Sequence, residues 1–281
     1  MNCEIGDEKT QRDYYNKASH YDTLWGQDNI HLGYYPHLVN SRAPRLSFKE
    51  AGSNMTARMC EVANIGESSR VLDLGCGKGV ACKEIAELTG ATCIGMDLSE
   101  TNIDRCKELA KENAKLKLDF LVGSFTELPA AVAKDKYTHV FAQLAFCHVH
   151  EEFPRIMEEV KKVLAEGGVV VIMDYIGTED PVMDDTKEHV HKRLHFSTLL
   201  GHLSWRRVVD EAGLNILHYE NLDRHMLQSY TDLAEAASQH DFRSADGEPI
   251  VKNYRKTVEV CAKGQIGMNL ALLSMSWQTK L

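Results

Sequence analysis

The sequence predicts an α/β fold with a doubly wound, mostly parallel sheet and helices on both of its faces. Residues 70–99 read as a short apolar strand (71–74), a glycine-rich turn, a helix with one apolar face (80–88) and a second strand (91–96). Downstream, short apolar segments continue to alternate with helical segments. Neighbouring parallel strands need crossover connections of this kind, so the pattern favours a parallel sheet.

The remaining predicted helices and strands also alternate along the chain. A helix over 46–63 leads into the first strand, and Ser99 can cap the helix that follows the second strand. The later predicted elements are helices over 101–114, 153–164, 205–212 and within 222–263, and strands over 117–122, 139–142, 169–173, 215–219 and 266–275.

The turn after the first strand has the glycine spacing G-x-G-x-G, formed by Gly75, Gly77 and Gly79. Glycines let the backbone approach a ligand closely and adopt positive φ angles. The helix that begins after the turn adds unpaired N–H groups and a partial positive charge. Asp97 follows the second strand, where an acid can accept hydrogen bonds from ribose hydroxyls. The unit is therefore predicted to bind a nucleoside.

The details of the turn narrow the class of nucleoside. The spacing differs from the dinucleotide fingerprint G-x-G-x-x-G, and Lys78 is not part of a Gly-Lys-Ser/Thr phosphate loop. Asp73 lies two residues before Gly75. A carboxylate at that point would repel a pyrophosphate, but it suits a cationic ligand such as the ammonium group of an amino acid.

These residues carry a resemblance to a known family. The run Leu72-Asp73-Leu74-Gly75-Cys76-Gly77-Lys78-Gly79, followed by Asp97-Leu98-Ser99, resembles the S-adenosylmethionine-dependent methyltransferases with a seven-stranded Rossmann-like sheet. The resemblance implies S-adenosylmethionine as cofactor, an antiparallel last strand and a helical insertion between strands six and seven. The cofactor-binding residues that it implies or that the pattern suggests are Asp73, Gly75, Cys76, Gly77, Asp97, Leu98, Asn102, Ser124, Phe125, Gln143 and Trp25.

Composition limits the partners and the setting. The chain has 281 residues, 43% of them hydrophobic, and a net charge of −9, which argues against a sequence-independent grip on nucleic acid. None of the eight cysteines forms a C-x-x-C pair, so a zinc ribbon is not expected. No signal peptide or 18-residue apolar run is present. We expect a cytoplasmic protein, monomeric or homodimeric, acting on a small molecule without a metal ion.

Aromatic residues crowd the N-terminal segment, at Tyr14, Tyr15, Tyr21 and Trp25. We interpret residues 1–45 as a lid or arm over a single domain spanning 46–281, because aromatic faces suit a methylated cation. The stretch from Trp25 to Tyr35 resembles the W-G-x-x-x-I-H-x-G-x-Y pattern of small-molecule methyltransferases, and is closest to the sarcosine/dimethylglycine N-methyltransferases. Substrate-binding candidates in this segment are Tyr14, His31 and Tyr34.

Further candidates follow the fourth and fifth strands, since ligands lie beyond the carboxyl ends of parallel strands. The segment Gln143-Leu144-Ala145-Phe146-Cys147-His148 is similar to the S-Q-x-A-F-x-H pattern of the same enzymes, with Ala142 in place of Ser. That resemblance implies that the Gln143 region approaches the methionine part of the cofactor and that His148 faces the acceptor. No third ligand has a fixed spacing to His148 and His150, which disfavours a metal site.

Two segments are predicted to cap the pocket, at 177–203 and 221–263. Arg193 and His195 in the first of them are candidates for substrate binding. The catalytic candidates are His148, Tyr15 and Tyr175. An amine acceptor must lose a proton before it can attack the methyl group, and a histidine can take that proton. Tyrosine hydroxyls can donate hydrogen bonds to a carboxylate on the substrate.

The sequence favours a methyltransferase that acts on a glycine-derived amine such as sarcosine or dimethylglycine, towards a betaine-type osmolyte. S-methylation of a methionine-derived thioether acid is the alternative within the same class, and it needs no base. Two alternatives of another class are a nicotinamide-dependent oxidoreductase, which the glycine spacing and Asp73 disfavour, and a non-catalytic S-adenosylmethionine-binding protein.

Overall fold

One seven-stranded sheet organises the chain. Its strands are β1 (Arg70–Leu74), β2 (Thr92–Asp97), β3 (Leu118–Val122), β4 (Tyr137–Gln143), β5 (Leu164–Ile176), β6 (Leu214–Asn221) and β7 (Gly267–Met275). Their order in the sheet is β3-β2-β1-β4-β5-β7-β6. The computed structural model describes residues 24–25, 31–196, 198–244 and 247–275. Strand β7 is antiparallel to both of its neighbours, β5 and β6, whereas the pairs among β1 to β5 are parallel.

Helices cover both faces of this sheet. They are α1 (Phe48–Ala63), α2 (Val80–Thr89), α3 (Glu100–Glu112), α4 (Ala130–Ala133), α5 (Phe153–Val163), the consecutive helical pieces of α6 (Asp184–Thr186, Lys187–His191 and Lys192–Leu194), α7 (His202–Glu211), α8 (Asp223–Ala237) and α9 (Ile250–Ala262). Among the residues that the structure describes, none of these helices combines the length and the apolar character that a bilayer crossing requires.

Local sequence signals explain where the helices nearest the predicted nucleoside site begin. Ser47 and Glu50 form a reciprocal capping box at the start of α1. The Ser99 side chain accepts a hydrogen bond from the backbone N–H of Asn102 at the start of α3. Helix α2 begins directly after Gly79, which has a φ of 80°. The turn is thereby joined to two helix N-termini at one edge of the sheet.

Alternation along the strands divides the core into two layers. Phe141, Val171, Met173 and Tyr175 point to the face covered by α1, α2 and α8. Their neighbours in the strands, such as Val140 and the even-numbered positions of β5, point to the opposite face, which α5 and α7 cover. Side chains at odd positions near the ends of β4 and β5 therefore share one side of the sheet.

The predicted architecture, including the antiparallel last strand, is confirmed. Three details differ from the expectation. Strand β5 begins at Leu164 rather than at residue 169, and its pairing with β4 shifts register between Tyr137 and His139. The polar region 222–263 consists of two helices, α8 and α9, which make the helical insertion between β6 and β7. Segment 177–203, whose charged residues predict a largely solvated helix, buries the apolar side chains of Val190, Leu194 and Phe196. Residues 1–23 and 26–30 of the proposed lid lie outside the described residues.

Candidate active site

The glycine turn leaves space at one point and is tightly packed at another. Gly75, Gly77 and Gly79 have φ angles of 81°, 53° and 80°, which only glycine adopts readily. A Cβ atom at Gly75 would lie 2.8 Å from the Cβ of Ala145, whereas one at Gly77 would meet no atom within 4 Å. The turn thus presents bare backbone to open space at Gly77, while Gly75 seats it against the loop after β4.

Asp97 ties the turn to the start of α3. Its Oδ2 accepts a hydrogen bond from the N–H of Gly77 at 2.9 Å. Its Oδ1 accepts from the N–H of Ser99 at 2.9 Å and from Nδ2 of Asn102 at 3.3 Å. Burial raises the pKa of Asp97, and these hydrogen bonds oppose the rise. Three residues, Gly77, Ser99 and Asn102, are therefore brought together around the Asp97 carboxylate.

Asp73 is a buried carboxylate beneath the same turn, with only 2% of its surface exposed. The Cys82 thiol donates a hydrogen bond to its Oδ2 at 3.2 Å. Burial raises the pKa of Asp73 to about 7, and the negative charge of Asp97 adds to this effect. A cation bound beside this carboxylate would favour its ionised form.

Gln143 ends β4 on the face that it shares with Tyr175. It is 3% exposed, yet neither its amide oxygen nor its amide nitrogen has a hydrogen-bond partner among the residues that the structure describes. Leaving a buried polar group unsatisfied costs about 1–3 kcal/mol. A polar ligand at this edge of the sheet would remove that cost.

The other predicted cofactor residues border the turn. The Phe125 ring packs edge-on against Phe146, with ring centroids 5.4 Å apart, and its Cε1 lies 3.9 Å from the Cβ position of Gly75. Ser124 shares a 2.7 Å hydrogen bond with the Thr126 hydroxyl. Cys76 is buried beneath the turn, and Leu98 is half-buried between β2 and α3.

Asp174, near the carboxyl end of β5, has a structural role that its place in the sequence does not reveal. This carboxylate, 1% exposed, accepts hydrogen bonds from the backbone N–H groups of Phe146 (2.7 Å), Cys147 (2.9 Å) and Tyr175 (2.8 Å). Leu144 in the same loop has a φ of 56°. Asp174 thereby fixes the loop that carries His148. The available signal was an acid at the carboxyl end of a strand that is otherwise apolar.

Five aromatic side chains, here called the aromatic enclosure, lie beside this loop: Trp25, Tyr175, Phe196, Tyr230 and Tyr254. The hydroxyls of Tyr175 and Tyr230 are hydrogen-bonded at 2.6 Å. Trp25 donates from Nε1 to the Tyr254 hydroxyl at 2.8 Å. Trp25, expected at the cofactor, is therefore part of the enclosure, and Tyr230 and Tyr254 are members that sequence reasoning did not single out.

Arg193 forms one wall of the enclosure. Its guanidinium donates from Nη2 to the Thr257 hydroxyl at 3.1 Å and from Nε to the carbonyl of His189 at 3.1 Å. Its Cζ lies 5.7 Å from the centroid of the Tyr254 ring. Burial raises the pKa of both Tyr175 and Tyr230, and the positive charge of Arg193 opposes that rise. A cation and two buried hydroxyls thus converge on one region.

Several histidines surround Phe196. The His148 ring lies 5.3 Å from it, and burial, followed by the neighbouring imidazoles of His195 and His150, lowers the pKa of His148 to about 4. Burial also lowers the pKa of His195, which has a φ of 56°. These rings are neutral at pH 7. Within the described ranges, no three His, Cys, Asp or Glu side chains are grouped so as to hold a metal ion.

The remaining candidates lie elsewhere or outside the described residues. Tyr34 stacks on His225 of α8 with ring centroids 4.5 Å apart, and the Arg58 guanidinium lies 5.8 Å from its ring. Tyr34 thus belongs to the junction between segment 31–35 and α8. Burial lowers the pKa of His31, in the same segment, to about 4. Tyr14 and Tyr15 lie outside the described residues.

Comparison with known proteins identifies the family. A family model described as "methyltransferase domain" matches residues 65–227, which is more than half of the chain. The chain belongs to this methyltransferase family. It is an S-adenosylmethionine-dependent methyltransferase, and its acceptor is a small molecule.

The methyltransferase is similar to enzymes with different acceptors. It is 27% identical to the glycine/sarcosine/dimethylglycine N-methyltransferase of Actinopolyspora halophila over 83% of this chain, but it spans only 40% of that relative's length. It is 25% identical to the sarcosine/dimethylglycine N-methyltransferase of Aphanothece halophytica, over 83% of this chain and 82% of the relative. Sterol 24-C-methyltransferases match at 27–28% identity.

Solved structures support the fold of the methyltransferase. The cyclopropane synthase MmaA2 of Mycobacterium tuberculosis superposes with a TM-score of 0.78 at 13% identity, covering 96% of this chain and 99% of that one. At this level of identity the likeness concerns the fold alone. The acceptor must therefore be argued from the side chains of this chain.

The residues at the turn fit S-adenosylmethionine in three respects. Bare backbone at Gly77 leaves room for the ligand. A buried carboxylate, Asp73, matches the ammonium and sulfonium charges. The buried amide of Gln143 offers polar atoms that have no partner among the described residues.

Proposed function

We propose that this methyltransferase methylates the nitrogen of a small amino acid such as sarcosine or dimethylglycine, towards a betaine-type osmolyte. The observation that carries the proposal is the aromatic enclosure with Arg193 in its wall, beside the loop of His148. The seven described cysteines are all free thiols, which supports a reducing compartment such as the cytoplasm.

We infer roles for the cofactor-binding residues from their contacts. Asp97 accepts hydrogen bonds from the ribose hydroxyls while it holds the turn through Gly77. Asp73 stabilises the ammonium group of the methionine part, and Gln143 binds the same part with its amide. The Phe125 ring and Ser124 border the adenine, and Leu98, Asn102 and Cys76 shape the surrounding surface.

Cofactor affinity should fall as the pH falls below 7. The pKa of Asp73 is about 7 in the free protein because of burial. A cation binds the ionised form, so protons compete with it at low pH, and the affinity decreases about tenfold for each pH unit below that pKa. Calorimetric titration with S-adenosylhomocysteine between pH 5.5 and 8 measures this dependence. Asp73→Asn should bind more weakly and lose the dependence, and the same slope in that variant would exclude Asp73 as its source.

The enclosure complements both ends of an N-methylated amino acid. Arg193 can donate charge-assisted hydrogen bonds to a carboxylate, and the Tyr175 and Tyr230 hydroxyls lie beside it. Aromatic faces attract a methylated ammonium by about 0.5–2 kcal/mol each. An acceptor held in this way has its nitrogen near the loop of His148.

Methyl transfer requires mainly that the protein aligns the acceptor with the methyl group of the cofactor. S-adenosylmethionine supplies an electrophilic methyl group when it is bound. The enclosure holds the acceptor nitrogen in line and excludes water, which favours the unprotonated amine. Because His148 is neutral at pH 7, its ring can accept a hydrogen bond from the amine and help to orient it, while its pKa of about 4 means that the amine must lose its proton to solvent before it binds. The Tyr175 hydroxyl helps to orient the acceptor through its bond to Tyr230.

S-methylation of a thioether acid is the second candidate, because the same enclosure suits a carboxylate at one end and a sulfonium at the other. It requires no base, so His148 would be dispensable for it. A sterol acceptor is disfavoured, since the part-buried guanidinium of Arg193 would lose its contact with water against an apolar ligand.

A panel of acceptors with methyl-labelled S-adenosylmethionine tests the proposal. Glycine, sarcosine, dimethylglycine, 3-(methylthio)propionate, phosphoethanolamine and a sterol are compared at equal concentration, with products identified by mass spectrometry. We expect sarcosine or dimethylglycine to have the highest kcat/KM. Preferred methylation of the thioether acid would favour the second candidate, and preferred methylation of the sterol or phosphoethanolamine would refute the proposed acceptor.

A further inference from the structure

The Cys82 thiol contacts the buried carboxylate at the cofactor turn. Cys82 is the third residue of α2 and is completely buried. Its Sγ donates to Oδ2 of Asp73 at 3.2 Å. Asp73 is itself 2% exposed, so this bond is shielded from water. The thiol therefore interacts directly with the carboxylate in addition to filling space in the core.

We propose that Cys82 is a positioning residue for cofactor binding, whose S–H bond keeps the Asp73 carboxylate ionised and aimed at the ammonium group. This proposal rests on the role proposed above for Asp73. Cofactor affinity then depends on a residue in the first turn of α2 as well as on the glycine turn.

The thiol remains a donor at every relevant pH. Burial raises the pKa of Cys82 well above its usual 9.0, and the charge of Asp73 raises it further. A protonated thiol can only donate to the carboxylate, which stabilises the ionised form of the acid. The donated bond accordingly opposes the rise in the pKa of Asp73 that burial causes.

The other groups facing Asp73 do not replace this donor. Asp97, from the end of β2, carries a negative charge that raises the pKa of Asp73. Cys76 in the turn and Cys93 in β2 are also close, and the pKa of each thiol is raised, for Cys76 by its bond with Cys106 and by burial, and for Cys93 by burial. Both are neutral, and neither donates a hydrogen bond to Asp73 among the described contacts.

The bond differs from ordinary packing in its effect on the pH profile. Removal of the donor should raise the pKa of Asp73, so that the carboxylate is protonated over a wider pH range. Affinity for the cofactor's ammonium should then be lost at higher pH than in the wild type. A purely structural role for Cys82 would lower affinity equally at all pH values.

Calorimetric titration of S-adenosylhomocysteine between pH 5.5 and 8.5 tests the proposal, with Cys82→Ala, Cys82→Ser and the control Cys60→Ala. Cys60 is a buried cysteine of α1 and forms no hydrogen bond with the turn among the described residues. We expect Cys82→Ala to bind at least fivefold more weakly than wild type at pH 6.5 and nearly equally at pH 8.5. Cys82→Ser, whose hydroxyl donates more strongly, should have an unchanged or lower midpoint, and Cys60→Ala should match wild type.

The outcomes separate the two roles. A wild-type profile in Cys82→Ala, or a loss of affinity that is independent of pH, would overturn the proposal for Cys82. A wild-type profile in Asp73→Asn would instead overturn the role of Asp73. If Cys82→Ala does not fold, Cys82→Val fills the volume without a donor and takes its place. A higher midpoint in Cys82→Ser would also contradict the proposal.

Discussion

Asp97→Ala should weaken the binding of S-adenosylhomocysteine by about 100-fold or more, which corresponds to about 2.8 kcal/mol. The carboxylate anchors the N–H of Gly77 and of Ser99 and the amide of Asn102, and it is the group that we propose for the ribose. Removal leaves two backbone donors without their acceptor and also deletes charge-assisted bonds to the ligand, each worth about 1.5–3 kcal/mol. Isothermal titration calorimetry measures the change directly.

Asp104→Ala is the matched control for this variant. Asp104 lies on the same helix as Asn102 but is exposed, and the structure gives it no hydrogen bond to the turn. It should bind the cofactor product as the wild type does. If Asp97→Ala retains its circular dichroism spectrum and undiminished affinity, Asp97 does not hold the ribose.

The fold was predictable because its signals are local. The spacing of Gly75, Gly77 and Gly79 and the position of Asp97 lie within one strand-turn-helix-strand unit, and short-range geometry settles how such a unit folds. The apolar strands are likewise recognisable from their amino-acid composition. The β5 boundary was less predictable, because Leu164 joins the strand only through its pairing with Tyr137 of β4.

The acceptor side was harder to predict because its contacts are remote in sequence. Tyr175 is hydrogen-bonded to Tyr230, which lies 55 positions away in the sequence, and Trp25 is hydrogen-bonded to Tyr254, which lies 229 positions away. Each of these residues fits an ordinary amphipathic pattern in its own segment. Asp174 likewise has the local sequence of an ordinary strand end. Its role depends on the pairing of β4 with β5, which brings the N–H groups of the loop at Phe146 to its carboxylate. The local periodicity of a segment carries no information about such long-range contacts.

Arg193→Met should lower kcat/KM for a carboxylate-bearing acceptor by about 100-fold, mainly through KM, since a charge-assisted pair is worth about 1.5–3 kcal/mol. Methionine retains much of the volume of the arginine stem beside Thr257 and Tyr254. Affinity for S-adenosylhomocysteine should stay within about twofold, because Arg193 belongs to the enclosure and not to the glycine turn. Steady-state kinetics with sarcosine or dimethylglycine measures the effect.

Arg206→Met controls for the loss of an arginine packed on a tyrosine, since Arg206 is exposed and lies 5.0 Å from the Tyr219 ring. It should leave the kinetics unchanged. Dimethylethanolamine, which has the same amine without a carboxylate, provides the second comparison. If Arg193 binds the carboxylate, the variant loses activity on the amino acid while its low activity on the amino alcohol is unaltered. Equal losses on both acceptors would mean that Arg193 supports the shape of the enclosure through Thr257 and does not recognise the substrate's charge.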